Sequence, residues 1–212
     1  MVLNNSTKPI IVIEHCEKEL SPWLILEYRH SSMIYNREYL LFTNVPEKYH
    51  KILSKYGRVR KESIVDLVRI QEISPENLII LDPKAERTLT HQDLVEAKYV
   101  VVGGILGDHP PRGRTWKLIT SKMPRGVKAF NIGDGQYSID GTVFYISYLL
   151  KYGNTSDYKY VDGITIKTDH GEIHLPFRYP IVNNKPLIAD GLEYYLIYRK
   201  IRDDIWLELI NQ

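Results

Sequence analysis

The sequence predicts an α/β fold, a mostly parallel sheet with helices on both faces and an appended C-terminal β/α layer. Three observations carry this expectation. Short apolar runs alternate with amphipathic stretches up to Gly153, the order a wound sheet requires. Those runs are also near-continuous, as in strands covered on both faces, and do not alternate apolar with polar. After Gly153 the pattern changes to paired strands followed by helix, which marks the appended layer.

In order along the chain, PIIVIEHC (9–16), REYLLFTNV (37–45), NLIILDP (77–83), YVVVGG (99–104) and VKAFNIG (127–133) read as strands ending in turn residues or loops. SPWLILEYRH, after the first strand, reads as a helix packed on the sheet. Pro46 opens PEKYHKILSKYG, a helix that Gly57 is placed to cap. Thr90 and Asp93 form a capping pair ahead of DLVEAK. Residues 114–123 and 138–152 are helical, the second closed by Gly153. Beyond it, 160–167 and EIHLPFRYPIV are strands that meet near the turn DHG as a hairpin. NNKP is a turn, and ADGLEYYLIYRKIRDDIWLELI one long amphipathic helix. With no internal repeat, residues 1–153 form the main domain and 154–212 an extension packed on it, not an independent unit.

Composition narrows the function. A chain of 212 residues with 43% hydrophobic content buries a full core. A formal net charge of +2 gives no global attraction to nucleic acid, although local basic patches remain open. Cys16 is the single cysteine, which excludes an intramolecular disulfide and a Cys-rich zinc site, and no metal is expected. No apolar stretch reaches the roughly 18 residues that span a bilayer. MVLNNSTKP lacks the basic-then-apolar order of a signal peptide, so a soluble, cytoplasmic protein is expected.

In an open α/β sheet, ligands bind at the C-terminal ends of the strands. That rule gathers Leu81-Asp82-Pro83, Gly103 to Asp108, and Asn131 to Ser138. The stretch GGILGDHPPRGRT (103–115) nearly fits a P-loop, but five residues separate Gly107 from Gly113 and Arg114-Thr115 replaces the lysine pair. A phosphate cradle works through converging backbone N–H groups. Pro110 and Pro111 have none to give. The loop carries a carboxylate instead, Asp108.

GGILGDHPPRGRT resembles the signature loop of a small branch of the SPOUT (α/β-knot) methyltransferases. That branch contains predicted archaeal RNA methyltransferases and a fungal enzyme that methylates an arginine of a small-subunit ribosomal protein. IEHCEKELSPWLILEY (13–28), ILDP (80–83), NIGDGQYSID (131–140) and LPFRYPIVNNKP (175–186) resemble the branch in the same order, so the likeness covers nearly the whole chain. It implies a trefoil-knotted core at about 77–152, threaded near Asn131 to Gln136, that binds S-adenosylmethionine (SAM) in a bent form and releases S-adenosylhomocysteine (SAH). The cofactor loops implied are Gly103, Gly104, Ile105, Leu106 and Gly107, then Asn131, Ile132 and Gly133, then Gln136, Tyr137 and Ser138. Leu81, Asp82 and Pro83 join them through the strand-end rule. SAM carries no phosphate; its adenine needs close backbone donors and acceptors, which glycines permit, and apolar walls, which Ile105, Leu106, Ile132 and Ile139 supply. YSIDG after GDGQ departs from the fungal pattern, where a Met-Thr-Thr run stands.

Two substrates remain open. An arginine, with a pKa above about 12, needs carboxylates to orient it and take its proton; Glu14 and Asp108 are the candidate catalytic pair, with Glu27 as a further acid. An RNA needs a basic track for phosphates, for which Arg58, Arg60, Arg112, Arg114, Lys117 and Arg125 are available. Trp23 is either a substrate-facing aromatic or helix packing, and Arg178 either reaches the cofactor site or pairs locally. The His15-Cys16 pair reads as structural, and the run GRVRKE (57–62) as a solvated face. The arginine of a ribosomal protein is preferred over tRNA or rRNA. A third reading is a ribosome-associated binding module without catalysis. SPOUT proteins commonly dimerise through knot helices; here the C-terminal layer is placed to occupy that face, which favours a monomer over a homodimer.

Overall fold

A computed structural model describes residues 8–169 and 171–211. The main sheet has six strands, all parallel, in the order β3-β2-β1-β5-β4-β6. They are β1 (Ile10–His15), β2 (Leu40–Thr43), β3 (Arg58–Val59), β4 (Leu78–Leu81), β5 (Tyr99–Gly104) and β6 (Lys128–Phe130). The central pair, β1 and β5, runs in register from Ile10 beside Tyr99 to His15 beside Gly104. Ile11 and Ile13 face one core, shared with α1 (Pro22–Tyr35) and α6 (Ile139–Tyr152). Val12 faces the other, shared with α3 (Ile64–Arg69). This one alternation places helices on both sides of the sheet.

Local chemistry sets the helix ends. Ser21 accepts a hydrogen bond from Leu24 N at 3.3 Å, and Pro22 follows it at the first helical position of α1. The capping box expected at Thr90 and Asp93 is present and opens α4 (His91–Glu96). Ser138 caps α6 through Gly141 N at 3.2 Å, and Gly153 closes it in the left-handed conformation, φ 75°.

Several local expectations are corrected. The helix opened by Pro46 is a 3-10 turn followed by the single turn α2 (His50–Leu53), and Gly57 is not its cap. A Cβ on Gly57 would stand 2.9 Å from Leu40 O and from the Phe42 ring, so this glycine serves close packing on β2. The run at 57–62 is not a bare solvated face: it contains β3, and Ser63 caps α3 just beyond it. The helix expected over 114–123 is α5 (Arg114–Leu118) followed by a 3-10 turn.

The C-terminal layer is a three-stranded antiparallel sheet, β7 (Tyr160–Thr168), β8 (Gly171–Val182) and β9 (Lys185–Pro186). The expected hairpin joins β7 to β8; His170 of the expected DHG turn lies outside the described residues. Asn183 and Asn184, at φ 51° and 61°, make the turn into β9. The single C-terminal helix is instead two, α7 (Leu192–Tyr198) and α8 (Asp203–Ile210), broken where Arg199 takes φ 57°. The break turns α8 back so that Ile205 and Leu209 are buried as well as Leu192 and Leu196, and Ile205 covers Gly191. In this layer α7 packs on α1 and β8 on α6. Some of the sixteen tyrosines cluster here: the rings of Tyr145 and Tyr148 stand 5.2 and 5.0 Å from that of Tyr158. Among the described residues no helix is long and apolar enough to cross a membrane.

Candidate active site

A cavity of about 340 Å³ opens at the C-terminal ends of β4, β5 and β6. The three strand-end loops chosen from sequence meet there. Leu81, Asp82, Pro83, Gly103, Ile105, Gly107, Asp108, Arg112, Arg114, Ile132, Gly133, Gln136 and Tyr137 all line it. So do Lys84, Val102, Pro111, Gly113, Thr115, Phe130, Asp134, Gly135, Ile139 and Thr142, of which sequence reasoning gives an individual site role only to Ile139. Most of these adjoin the chosen residues in the same loops; Thr115 and Thr142 lie in the first turns of α5 and α6, a position that sequence shows only once helix starts are fixed.

Asp82 is 1% exposed, with Oδ1 accepting from Lys84 N at 2.9 Å and Oδ2 from Thr120 Oγ1 at 2.6 Å. Both bonds shape its loop and hold its charge inward. Gly107 is where the loop after β5 touches the loop after β6, because a Cβ there would overlap the Gln136 amide and stand 2.6 Å from the Phe177 ring. Glu17 Oε1 accepts from Leu106 N at 2.9 Å and from the Arg114 guanidinium at 2.8 Å, fixing both ends of the loop.

Several expected cofactor contacts lie elsewhere. Gly104 does not line the cavity; its missing Cβ makes room for the Tyr28 hydroxyl and the Glu14 carbonyl on the α1 side. Leu106 faces a second, more open groove with Cys16, Lys117 and Leu118. The Asn131 side chain ties its turn to the loop after β4, donating to Ala85 O at 2.8 Å, and accepts from Gly133 N at 3.1 Å. Ser138 is buried as the cap of α6.

The two candidate catalytic acids separate. Glu14 is 3% exposed on the α3 side, where Oε2 accepts from Thr43 Oγ1 at 2.5 Å and Ile64 N at 2.9 Å. Burial raises its pKa to about 7 against these bonds. It is outside the cavity, so the paired-acid arrangement is not formed. Asp108 lines the cavity, half-buried, and its carboxylate makes no hydrogen bond to any other described residue. Glu27 is buried between helices, accepting from Trp23 Nε1 at 2.6 Å and Ile139 N at 3.1 Å. Burial, then the neighbouring Asp140 charge, pushes its pKa up. Trp23 is therefore a partnered packing residue and not a substrate-facing one. Burial also pushes the Cys16 thiol up to about 12, which keeps it from acting as a nucleophile.

Arg178 pairs locally. Its side chain is 8% exposed, with Nε and Nη2 on the two Asp162 oxygens at 2.6 and 2.8 Å and Nη1 on Asp134 at 3.0 Å. The guanidinium lies 3.9 Å over the Tyr160 ring. Arg60 is likewise engaged, by Glu62 and Glu72. Among the described residues no group of His, Cys, Asp and Glu is placed to hold a metal ion.

Protein arginine N-methyltransferase SFM1 of Saccharomyces cerevisiae is 30% identical to this chain, over 85% of the chain and 91% of the yeast protein. The crystal structure of yeast SFM1 complexed with SAH matches with a TM-score of 0.77 at 27% identity, over 88% of this chain and 94% of that one. The complex with SAM matches at 0.76 and 28%, over 89% of each chain. A dual-specific Trm10 from Thermococcus kodakaraensis shares the fold alone, with a TM-score of 0.52 at 17% identity over 67% of this chain and 91% of that one. The SPOUT-type architecture expected from sequence, a parallel sheet with an appended C-terminal layer, is borne out. Residues 10–203 match the family model of SFM1-like protein arginine N-methyltransferases, and the chain belongs to that family.

Proposed function

We propose that this protein transfers a methyl group from SAM to an arginine side chain of a ribosomal protein, as a cytoplasmic monomer. The observation that carries the reading is the cavity itself: three strand-end loops around apolar walls, with one uncommitted carboxylate, Asp108, on its lining. Its volume falls within the range of small-molecule sites. The residues fit SAM, since Ile105, Ile132 and Ile139 supply the walls an adenine needs and the Gly107 contact leaves no room for a side chain. SAM supplies an electrophilic methyl group on a sulfonium.

The chain's own residues supply position and a proton acceptor. The backbone at Gly103, Ile105 and Gly107 and that of 132–137 would hold the cofactor. Asp108 accepts a hydrogen bond from the incoming guanidinium, orients one nitrogen toward the cavity, and takes the proton that nitrogen gives up. A trefoil threading of 77–152 belongs to the proposal, supported by the parallel bridge of Thr88 with Asn131 outside the regular strands. The monomer is supported by the packing of α1, α4 and β8 on α6, which leaves that helix little free face. A basic RNA track is weakened by the ion pairs of Arg60 and Arg114.

The test is labelled SAM with purified ribosomal proteins, rRNA and tRNA in separate reactions, followed by mass analysis of the labelled product. Label on a protein arginine is expected. Label confined to RNA, or none with bound SAM, would replace the reading with the RNA enzyme or with the binding module.

A further inference from the structure

We propose that Lys84 and Arg112 form the subsite for the cofactor's α-carboxylate, so that they distinguish the intact cofactor from one without that group; this rests on the SAM reading above. Three cationic side chains line the cavity: Lys84, Arg112 and Arg114. Arg114 is committed, with Nη1 on Glu17 Oε1 at 2.8 Å and Leu106 O at 3.1 Å. Lys84 and Arg112 have neither an acidic partner nor a side-chain hydrogen bond among the described residues. Unpaired cations on a ligand cavity are an anion site in waiting, because their charge is left for a ligand to balance.

The two come from different loops and converge. Lys84 follows β4, whereas Arg112 lies in the long loop after β5. The Lys84 ammonium nitrogen stands 2.7 Å from where a Cβ on Gly113 would be, so its side chain crosses the backbone next to Arg112. Gly113 has φ +64°, a conformation that also favours glycine there. The acids of the cavity are placed otherwise. Asp82 spends its oxygens on Lys84 N and Thr120, Asp134 is taken by Arg178, and Asp108 follows Gly107, which packs on Gln136 and Phe177. None of them makes an ion pair with Lys84 or Arg112 among the described residues.

SAM sorts its charges in a way that matches. Its sulfonium and ammonium are cationic, its adenosine is neutral, and its α-carboxylate is the one anion. A carboxylate held by an ammonium and a guanidinium gains charge-assisted hydrogen bonds from both. The same placement leaves Asp108 for the cationic guanidinium of the substrate.

The experiment is titration calorimetry on the full chain with two probes, SAM and decarboxylated SAM, which keeps the ammonium and loses only the carboxylate. The proteins are the unmodified chain, Lys84→Ala, Arg112→Ala and Lys84→Arg. The unmodified chain is expected to bind SAM more tightly than the decarboxylated probe. Each alanine variant should weaken SAM binding about tenfold or more, leave the decarboxylated probe within about twofold, and Lys84→Arg should regain most of the loss. Both side chains are exposed, so unfolding midpoints should stay unchanged. Equal weakening of both probes, or no change in either, overturns the assignment; the second result gives the cations to a substrate anion such as a phosphate. If the unmodified chain binds neither probe, the SAM reading itself fails, and that outcome is distinct from the other two.

Discussion

Arg178 Nη1 donates to Asp134 at 3.0 Å, and through that bond the C-terminal sheet holds a loop of the cofactor cavity. The same residue donates its backbone N–H to Gln136 O at 2.7 Å, and its neighbour Phe177 backs Gly107. Arg178→Ala should lower stability by about 2 kcal/mol, the range for hydrogen bonds to charged groups, and weaken SAH binding as well. Lysine should not rescue it, because the two-pronged contact with Asp162 needs the guanidinium fork. Denaturant midpoints and calorimetry on the pair of variants read both effects.

Asp108→Asn keeps the shape of the loop and removes the proton acceptor. Turnover should fall about 100-fold with SAH affinity nearly unchanged, measured by single-turnover kinetics beside calorimetry. Glu14→Gln, by contrast, should leave turnover within a few-fold, since Glu14 is buried outside the cavity under α3. Loss of turnover in the Glu14 variant with unchanged stability would return that acid to the mechanism.

Glu14 also makes stability depend on pH. Its folded pKa, about 7, lies above the ordinary 4.5. Below pH ~4.5 both states are protonated and nothing changes. Between ~4.5 and ~7 the folded state keeps a proton the unfolded chain has released, so stability falls by up to about 1.4 kcal/mol per pH unit. Above ~7 the contribution levels off, about 3 kcal/mol lower. Glu27, also raised, acts with the same sign. Urea unfolding at pH 5, 6, 7 and 8 should show this decline, and Glu14→Gln should make it shallower, with the Glu27 contribution remaining.

The two glycines Gly104 and Gly107 should behave differently. Gly104→Ala meets the Tyr28 hydroxyl and, at 2.8 Å, the Glu14 carbonyl, so it should cost about 1–3 kcal/mol of stability while the folded fraction binds SAH normally. Gly107→Ala meets Gln136 and Phe177 across the cavity loops, so its main effect should be weaker SAH binding. Melting curves and binding isotherms on the two proteins separate the outcomes.

The parts of the fold governed by local chemistry were legible. YVVVGG is β5 residue for residue, and α6 begins and ends at the cap residues Ser138 and Gly153. The cavity loops were legible because strand ends gather them whatever the side chains do. Glu14 was misplaced because sequence gives its position along a strand but not which face it meets. Its face is set by α3, hidden behind the basic run before Ser63. The break at Arg199 carries no glycine or proline, so the tail read as one helix. Arg178 was ambiguous because its acids lie 16 and 44 residues away, at Asp162 and Asp134.

The hold of Phe177 and Arg178 on the loops at Gly107 and Asp134 also sets an order of assembly. Domains fold from the N-terminus as they leave the ribosome, and every strand of the parallel sheet is made before residue 131. The β8 residues that brace the cavity emerge some forty residues after those loops are complete. A nascent chain therefore has its sheet before it has a finished site, and the newly made protein becomes competent to bind its cofactor only after β8 has emerged.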